Sequence, residues 1–379
     1  MPTILTINAG SSSVRFALVD AKGETIRTIG SLREDAHPAD RAGTLARFLS
    51  AHGSSPSAVA HRIVHGGRRF VQPVLLDASV TRALEELTPL APLHMPEALA
   101  WSRAAGDVLG SAVAQICVFD TAYFADLPKV ASTYAIPKGL AERHGIRRFG
   151  FHGFAHKALW RRWAELRPDL PGGGRLVSLQ LGSGCSAAAI RRGAPLDTSM
   201  GFTPIEGLVM STRSGDLDPG VLLTLQRREG LDPDALERLL DHESGLLGIS
   251  GSSGDMRKLA AEPENPAARL AIDVFCQRVR KYAGAYLAVL GGVDGIVFGG
   301  GIGENSPEVR ARCLSGLEPL GIVLDEEANH ATIGRDGRIS PVRSAIDVEV
   351  VVADEAGEMA REAASLLSTS PGRMDGVSP

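Results

Sequence analysis

Cysteine is scarce in this sequence. Cys117, Cys185, Cys276 and Cys313 are the four in the chain, and they stand far apart. No CxxC pair occurs and no His/Cys spacing suits zinc; the thiols are read as reduced residues of a cytosolic chain. Long apolar runs are lacking too. None approaches the roughly 18–20 residues that a membrane span needs. The N-terminal Met1-Pro2-Thr3-Ile4-Leu5-Thr6 has no basic n-region and no long apolar h-region, so a signal peptide is not expected. An excess of positive charge is also missing. A formal net charge of −4 argues against nonspecific binding to nucleic acid or acidic membranes, and arginine clusters therefore read as local anion sites.

What is present is an ordinary globular balance, 44% hydrophobic and 22% charged residues. The 379 residues are too many for one ordinary core and suit two domains of roughly 150–200 residues each. Residues 3–7 and 14–19 read as strands around a Gly/Ser turn, being short, apolar or β-branched, and bounded by turn residues. The pattern recurs nearly half a chain later: Leu176–Leu181, then Gly182-Ser183-Gly184, then Cys185–Ile190. Two lobes, each opening with a strand–turn–strand unit, are the expectation, with coincidence as the alternative. Pro168–Gly174 reads as a loop, either a hinge or a turn just inside the second lobe. Ala58–Val64 and Val113–Phe119 read as strands. Ile272, Phe275, Val279, Tyr282, Tyr286 and Val289 step by three or four, marking an amphipathic helix ended by Gly291-Gly292. Gly295–Phe298 reads as a buried strand, followed by the Gly-rich turn 299–303 and a helix from about Pro307. Such alternation indicates an α/β fold with a mixed sheet in each lobe. The tail after about Ser368 is expected to be disordered.

Three turns carry the chemistry. Asn8-Ala9-Gly10-Ser11-Ser12-Ser13 and Gly182-Ser183-Gly184 offer closely spaced backbone N–H groups that can cradle phosphate oxygens. The third, 299–303, can add a helix N-terminus; no Gly-Lys-Ser/Thr follows it, which excludes a Walker A loop. Each alone also reads as a plain turn. Arg62 and Arg213 lie among small and turn residues, where a guanidinium suits bidentate recognition of carboxylate or phosphate; singly, each also reads as a surface salt-bridge partner. Asp120 ends an apolar run, where a carboxylate points into the crevice of an open α/β sheet or merely caps the next segment. His152 is flanked by Gly150 and Gly153. Glu355 follows a strand and reads as an Mg²⁺ ligand or as an exposed acid at a helix start. Together these say phosphoryl transfer in a two-lobed cleft without naming the acceptor.

The sequence resembles the acetate kinases, within the acetate and sugar kinase/Hsp70/actin superfamily. The resemblance runs in order over residues 3–365. Its carriers are Asn8–Ser13, His61-Arg62-Ile63-Val64-His65-Gly66-Gly67, Leu90–His94, Val118–Ala122, Gly145–Gly153, Asp197–Pro204, Glu206–Gly220 and Gly300–Ser306. It implies two similar lobes of ribonuclease-H-like mixed sheets with a cleft between. Residues 1–149 with about 357–379 would form the N-terminal lobe, and 150–356 the nucleotide-binding lobe. Asn8, Asp120 and Glu355 match positions that organise Mg²⁺. Arg62, Arg213 and His152 match those around the transferring phosphoryl group, with Asp120 counted in the catalytic set. Val64, Leu93, Phe151 and Pro204 match the apolar pocket for the acid's methyl group, and His94 a histidine near the cleft. Arg15, Gln180, Gly182, Ser183, Gly184, Asp255, Met256, Arg257, Gly301, Ile302, Gly303 and Asn305 match the nucleotide side. The implied reaction is reversible, direct in-line transfer between ATP and acetate or propionate, in a cytoplasmic homodimer that closes around its substrates.

Several positions depart from the family pattern. Arg15 replaces a lysine; Gln180 and Ser183 replace the histidine and asparagine of His-Leu-Gly-Asn-Gly; Phe154-Ala155 replaces Thr-Ser; Met95 replaces asparagine; Asp354-Glu355-Ala356 keeps only the middle acid of Asn-Glu-Glu. These bear on the phosphoryl donor and on the preferred acid. One rival is a sugar kinase with Asp120 as base, disfavoured because a neutral sugar does not need two cations. The other is an ATP-dependent binding or filament module, in which the apolar pocket residues have no role.

Overall fold

The computed structural model describes residues 3–10, 13–22, 25–35, 37–53, 55–92 and 94–369. They fall into two compact units, Met1–Ala125 with Asp354–Pro379, and Asp126–Ala353.

The first unit contains β1 (Thr3–Ala9), β2 (Ser13–Lys22), β3 (Thr25–Asp35), β4 (Ala58–Ile63), β5 (Val74–Leu75) and β6 (Ala114–Phe119), ordered β3-β2-β1-β4-β6-β5. Strands β1 to β3 form an antiparallel meander, β4 and β6 add in parallel, and β5 closes the edge antiparallel. The second unit contains β7 (Arg175–Leu181), β8 (Cys185–Arg191), β9 (Ala194–Thr198), β10 (Gly295–Gly299), β11 (Gly337–Arg338) and β12 (Asp347–Val350), ordered β11-β12-β10-β7-β8-β9. Read from the β9 edge, that order repeats the first sheet strand for strand, with the same strand directions. The recurrence seen in two hairpins thus extends to the whole sheet.

Both faces of β1 are buried, as befits a central strand covered by helices. Leu5, Ile7 and Ala9 join Phe16, Leu18, Leu45, Phe48 and Trp101 in one core cluster, under the helices Arg41–Ala51 and Met95–Leu109. The helix Glu355–Thr369 also packs on this sheet. In the second unit the helix Pro266–Leu290 starts where the Asn265 side chain accepts from the backbone N–H groups of Ala267 and Ala268, and it ends at Gly291 with φ 67°. Its expected apolar stripe is buried at Ile272, Phe275, Val279 and Tyr286. Two members differ. Val289 is 44% exposed, and the Tyr282 hydroxyl turns to Asp216 Oδ2 at 2.9 Å.

Pro168–Gly174 is the turn of the two alternatives. It joins the helix Gly153–Leu166 to β7 through a short 3₁₀ segment, Pro171–Gly173, inside the second unit. The Gly-rich stretch at 299–303 is more regular than the strand-to-helix turn expected there. It is itself a short helix, Gly300–Asn305, followed by the helix Pro307–Leu314. Glu304 Oε1 accepts from Gly300 N at 2.9 Å and closes that turn. The last helix ends at Thr369; the remainder of the expected disordered tail lies outside the described residues, as does Leu93. Among the described residues no helix is long and apolar enough to cross a membrane.

One buried acid links this fold to pH. Glu349 on β12 is buried, and burial, then the neighbouring Asp347 charge, pushes its carboxyl up to about 7. The folded state therefore holds a proton that the unfolded chain releases near its ordinary value of 4.5. The resulting stabilisation is complete below that value and is lost as pH rises through about 7. A Glu349→Gln variant is expected to melt above the parent at pH 8 and with it at pH 4.5, followed by circular dichroism.

Candidate active site

In the first unit four of the candidate residues join through one hydrogen-bonded network. Asp120 follows the C-terminal end of β6, where its backbone N–H donates to Ile63 O at 2.9 Å. Its carboxylate is 1% exposed. Arg62, on β4, donates from Nη2 to Asp120 Oδ2 at 2.7 Å and from Nη1 to Asn8 Oδ1 at 3.0 Å. Asn8 in turn donates from Nδ2 to Glu355 Oε2 at 2.9 Å. Burial works against the Arg62 charge, but the carboxylates of Asp120 and Glu355 outweigh it, so the guanidinium is held more firmly protonated than usual. Arg62 Nε is buried with no acceptor among the described residues. A desolvated donor left over on a fixed cation is an anion-seeking group.

The loop after β4 is shaped by its glycines. A Cβ on Gly66 would lie 2.1 Å from Phe70 O, so only glycine allows this approach. Gly66 N donates to Thr121 Oγ1 at 3.0 Å, which ties the loop to the segment after Asp120. Val64 is 4% exposed. Arg15 is exposed on β2, in register with Asn8, so it belongs to the first unit, whereas the other candidate nucleotide residues belong to the second.

In the second unit the remaining candidates gather at the ends of β7 and β10. The turn Gly182-Ser183-Gly184 is closed by Gly182 N donating to Gly184 O at 3.1 Å, and Ser211 N donates to Ser183 O at 3.0 Å. That second bond sets the Arg213 loop beside the turn. A Cβ on Gly184 would sit 3.2 Å from His152 Nε2 and 3.7 Å from Arg213 Nη1. Gly184 thus marks a spot faced by both side chains. Arg213 is steadied by Asp241 at 3.4 Å from its Nε and by Pro204 O at 3.3 Å from its Nη1. Burial raises the Asp241 carboxyl, and the Arg213 charge works the other way. Phe151 is 1% exposed. His152 itself adopts a left-handed backbone, φ 57° and ψ 34°, an uncommon conformation for a non-glycine residue.

The Gly-rich turn adjoins the same place. Gly300 has φ 74°, and a Cβ there would lie 2.6 Å from Leu181 O, next to Gly182. Gly303 packs toward Leu181, and Asn305 Nδ2 donates to Gly301 O at 3.0 Å. Ile302 is half-buried. A Cβ on Gly254 would meet Ser211 O at 2.7 Å, so the Asp255 segment approaches the Arg213 loop too. Asp255 caps the short helix Met256–Ala260 and pairs with Arg257 at 2.8 Å, Arg257 being largely exposed; Met256 is buried. A shallow cavity of about 300 Å³ lined by Tyr134, Ile136, Ile146, Phe202, Thr203 and Glu206 holds none of the candidate residues.

The sequence model described as the acetokinase family matches residues 42–361. The chain belongs to the acetokinase family. Among its relatives is an acetate kinase of Clavibacter sepedonicus, 42% identical over 97% of this chain and 100% of that protein. Another, of Solibacter usitatus, is 39% identical over 97% of this chain and 99% of its own length. The crystal structure of Porphyromonas gingivalis acetate kinase superposes with a TM-score of 0.86 at 34% identity, covering 97% of this chain and 100% of that one. A propionate kinase from Francisella tularensis gives 0.85 at 32% identity, covering 96% and 99%. The two six-stranded mixed sheets flanked by helices are therefore the acetate kinase fold, and this acetokinase is an enzyme, a kinase of that family.

Three features of this acetokinase escaped the sequence reading. Arg310 is fully buried with no carboxylate partner among the described residues; its fork donates to Gly303 O, Asn329 O and Thr332 O, each at 2.7 Å, and to Asn329 Oδ1 at 2.8 Å. It thereby pins the carbonyl end of the Gly300–Asn305 turn. Glu206 accepts from Tyr134 and from Arg148, whose guanidinium also reaches the carbonyls of Thr198, Ser199 and Met200; this knot shapes the segment leading to Pro204. The third is a set of buried serine and histidine side chains behind His152. No local sequence signal announces any of them, because the partners are backbone carbonyls or residues on other elements.

Proposed function

We propose that the protein transfers a phosphoryl group, reversibly and directly in line, between ATP and the carboxylate of acetate or propionate. Family membership supports the reaction class. The observation that carries the residue assignment is the buried Arg62, fixed by Asp120 and Asn8 and with no acceptor for Nε among the described residues.

A carboxylic acid of this size is ionised at neutral pH, so no general base is needed. A carboxylate oxygen forms the new bond to the γ-phosphorus, the bond to the β,γ-bridging oxygen breaks, and its electron pair leaves with ADP. Such transfer needs positioning and charge neutralisation more than covalent help. Arg62 holds the carboxylate or the transferring group. Arg213 and His152, both facing Gly184, offset the charge that spreads over the equatorial oxygens. By the family resemblance, Val64, Leu93, Phe151 and Pro204 are the residues assigned to the acid's methyl group. Gln180, Ser183, Gly184, Asp255, Arg257, Gly301, Ile302 and Asn305 hold the nucleotide, with Arg15 on the phosphate side. The protein acts as a cytoplasmic homodimer, which sedimentation checks.

Asp120 and Glu355, with the amide oxygen of Asn8, are the residues that would hold Mg²⁺. The set fits that ion, which keeps several waters and takes one or two carboxylates beside the substrate's phosphates. Among the described residues no cluster of three or more His, Cys, Asp or Glu forms, and Mg²⁺ on a nucleotide does not need one. When bound, the ion neutralises phosphate charge.

The test is trapping of acyl phosphate by hydroxylamine from Mg-ATP with acetate, propionate or butyrate, with glucose and glycerol as rival acceptors. Hydroxamate is expected from acetate or propionate, and none of the ATP consumed should depend on the alcohols. Absence of hydroxamate from every acid sinks the assignment; alcohol-dependent ADP release would move it to the sugar kinases.

A further inference from the structure

Behind His152 lies a buried chain of polar side chains. Ser178 Oγ is 2.8 Å from His156 Nδ1, His156 Nε2 is 2.7 Å from Ser186 Oγ, and Ser186 Oγ is 2.8 Å from His152 Nδ1. Ser178, His156 and Ser186 are each 0% exposed. His152 is the N-cap of the helix Gly153–Leu166 and His156 lies in its first turn, its backbone N–H donating to His152 O at 2.9 Å. Ser186 lies on β8, and Ser178 on the adjacent β7. The other edge of the His152 ring, with Nε2, faces Gly184, on the side of Arg213.

With each hydroxyl hydrogen kept within the chain, the proton count allows two directions. A neutral imidazole has one N–H and one lone pair, and a hydroxyl has one hydrogen to give. In one direction Ser178 donates to His156 Nδ1, His156 Nε2–H donates to Ser186 Oγ, and the Ser186 hydroxyl donates to His152 Nδ1. Neutral His152 then carries its hydrogen on Nε2, facing Gly184. In the other direction His152 Nδ1–H donates inward, and a neutral ring turns a lone pair toward the same spot. Phosphoryl oxygens are acceptors only, so the first direction attracts them and the second repels them.

We propose that His156 and Ser186 are positioning residues which, through this chain, hold His152 as a neutral Nε2–H donor for the transferring phosphoryl group. The inference rests on the reading of His152 given above. It assigns the chain's serines a role in the reaction rather than only in packing. It also gives His152 a hydrogen to donate without requiring the ring to be charged.

The experiment combines long-range ¹⁵N–¹H spectra of the ¹⁵N-histidine-labelled parent enzyme with steady-state kinetics of Ser186→Ala, Ser178→Ala and His152→Ala using Mg-ATP and acetate. In the parent, His152 is expected to show a protonated Nε2 and an unprotonated Nδ1. Ser186→Ala is expected to lower kcat about 10–100-fold with both KM values within about twofold, and to turn the His152 signal into a mixture of tautomers. Ser178→Ala, at the far end, is expected to show a smaller loss of the same kind. A parent spectrum with hydrogen on Nδ1 overturns the inference whether or not the variants fold. So does a Ser186→Ala enzyme at the parental rate when His152→Ala is crippled. Full rate in His152→Ala removes the reading of His152 itself, and the inference with it.

Discussion

Replacing Arg62 with alanine is expected to lower kcat about 10³–10⁵-fold, the worth of one arginine at a transferring phosphoryl group, and Arg213→Ala to fall in the same range. The argument for Arg62 is electrostatic. Its guanidinium is buried, it is held by the charges of Asp120 and Glu355, and one donor is left without a partner among the described residues. A cation so desolvated acts on an anion with little screening. Arg213 is placed differently, half-buried, against Asp241 and beside Gly184. Arg62→Lys keeps the charge but not the two-pronged contact to Asp120 and Asn8, and is expected to recover only a minor part of the rate. Because Arg62→Ala leaves Asp120 buried without its ion-pair partner, circular dichroism must first show the variant folded. Initial rates within tenfold of the parent for both alanine variants would refute the assignment.

The largest expected effect on stability comes from a residue away from the chemistry. Arg310→Met removes the donors that satisfy three buried carbonyls and the Asn329 side chain. Unsatisfied buried acceptors cost about 1–3 kcal/mol each. Loss of the buried charge's own desolvation cost offsets part of this: burial already depresses the guanidinium to about 10. A net loss of roughly 3 kcal/mol is expected, read as a fall in Tm of about 10 °C. Because Arg310 fixes Gly303 O, the KM for ATP is expected to rise while that for acetate stays. Unchanged melting would show that those carbonyls find other donors.

The strands of both hairpins were legible because small turn residues separate short apolar runs, and the helix Pro266–Leu290 because its apolar positions recur every three or four residues. Strand β3 was not. Most of Thr25–Asp35 is exposed, with Arg27, Arg33, Glu34 and Asp35 charged, and it is a strand because β2 supplies the hydrogen bonds along its length. The same limit explains why the 299–303 segment reads only as a strand-to-helix turn: Glu304 closes it into a helix by capping Gly300 N, which glycine composition does not reveal.

For the site, residue type and position along the chain made Arg62, Asp120, His152, Arg213 and Glu355 candidates, since anion and metal chemistry restricts which side chains can serve, while the roles of Asn8 and Gly184 came from the resemblance to the acetate kinases. Order cannot say which of them touch. That Arg62 bridges Asn8 and Asp120, that Asn8 reaches Glu355 from the far end of the chain, and that Arg310 rather than an acid-paired arginine supports the Gly-rich turn, were decided by the tertiary structure. The reason is physical: composition and periodicity report local backbone preference and burial, whereas a hydrogen bond between residues hundreds of positions apart exists only once the sheets have fixed their strands in register.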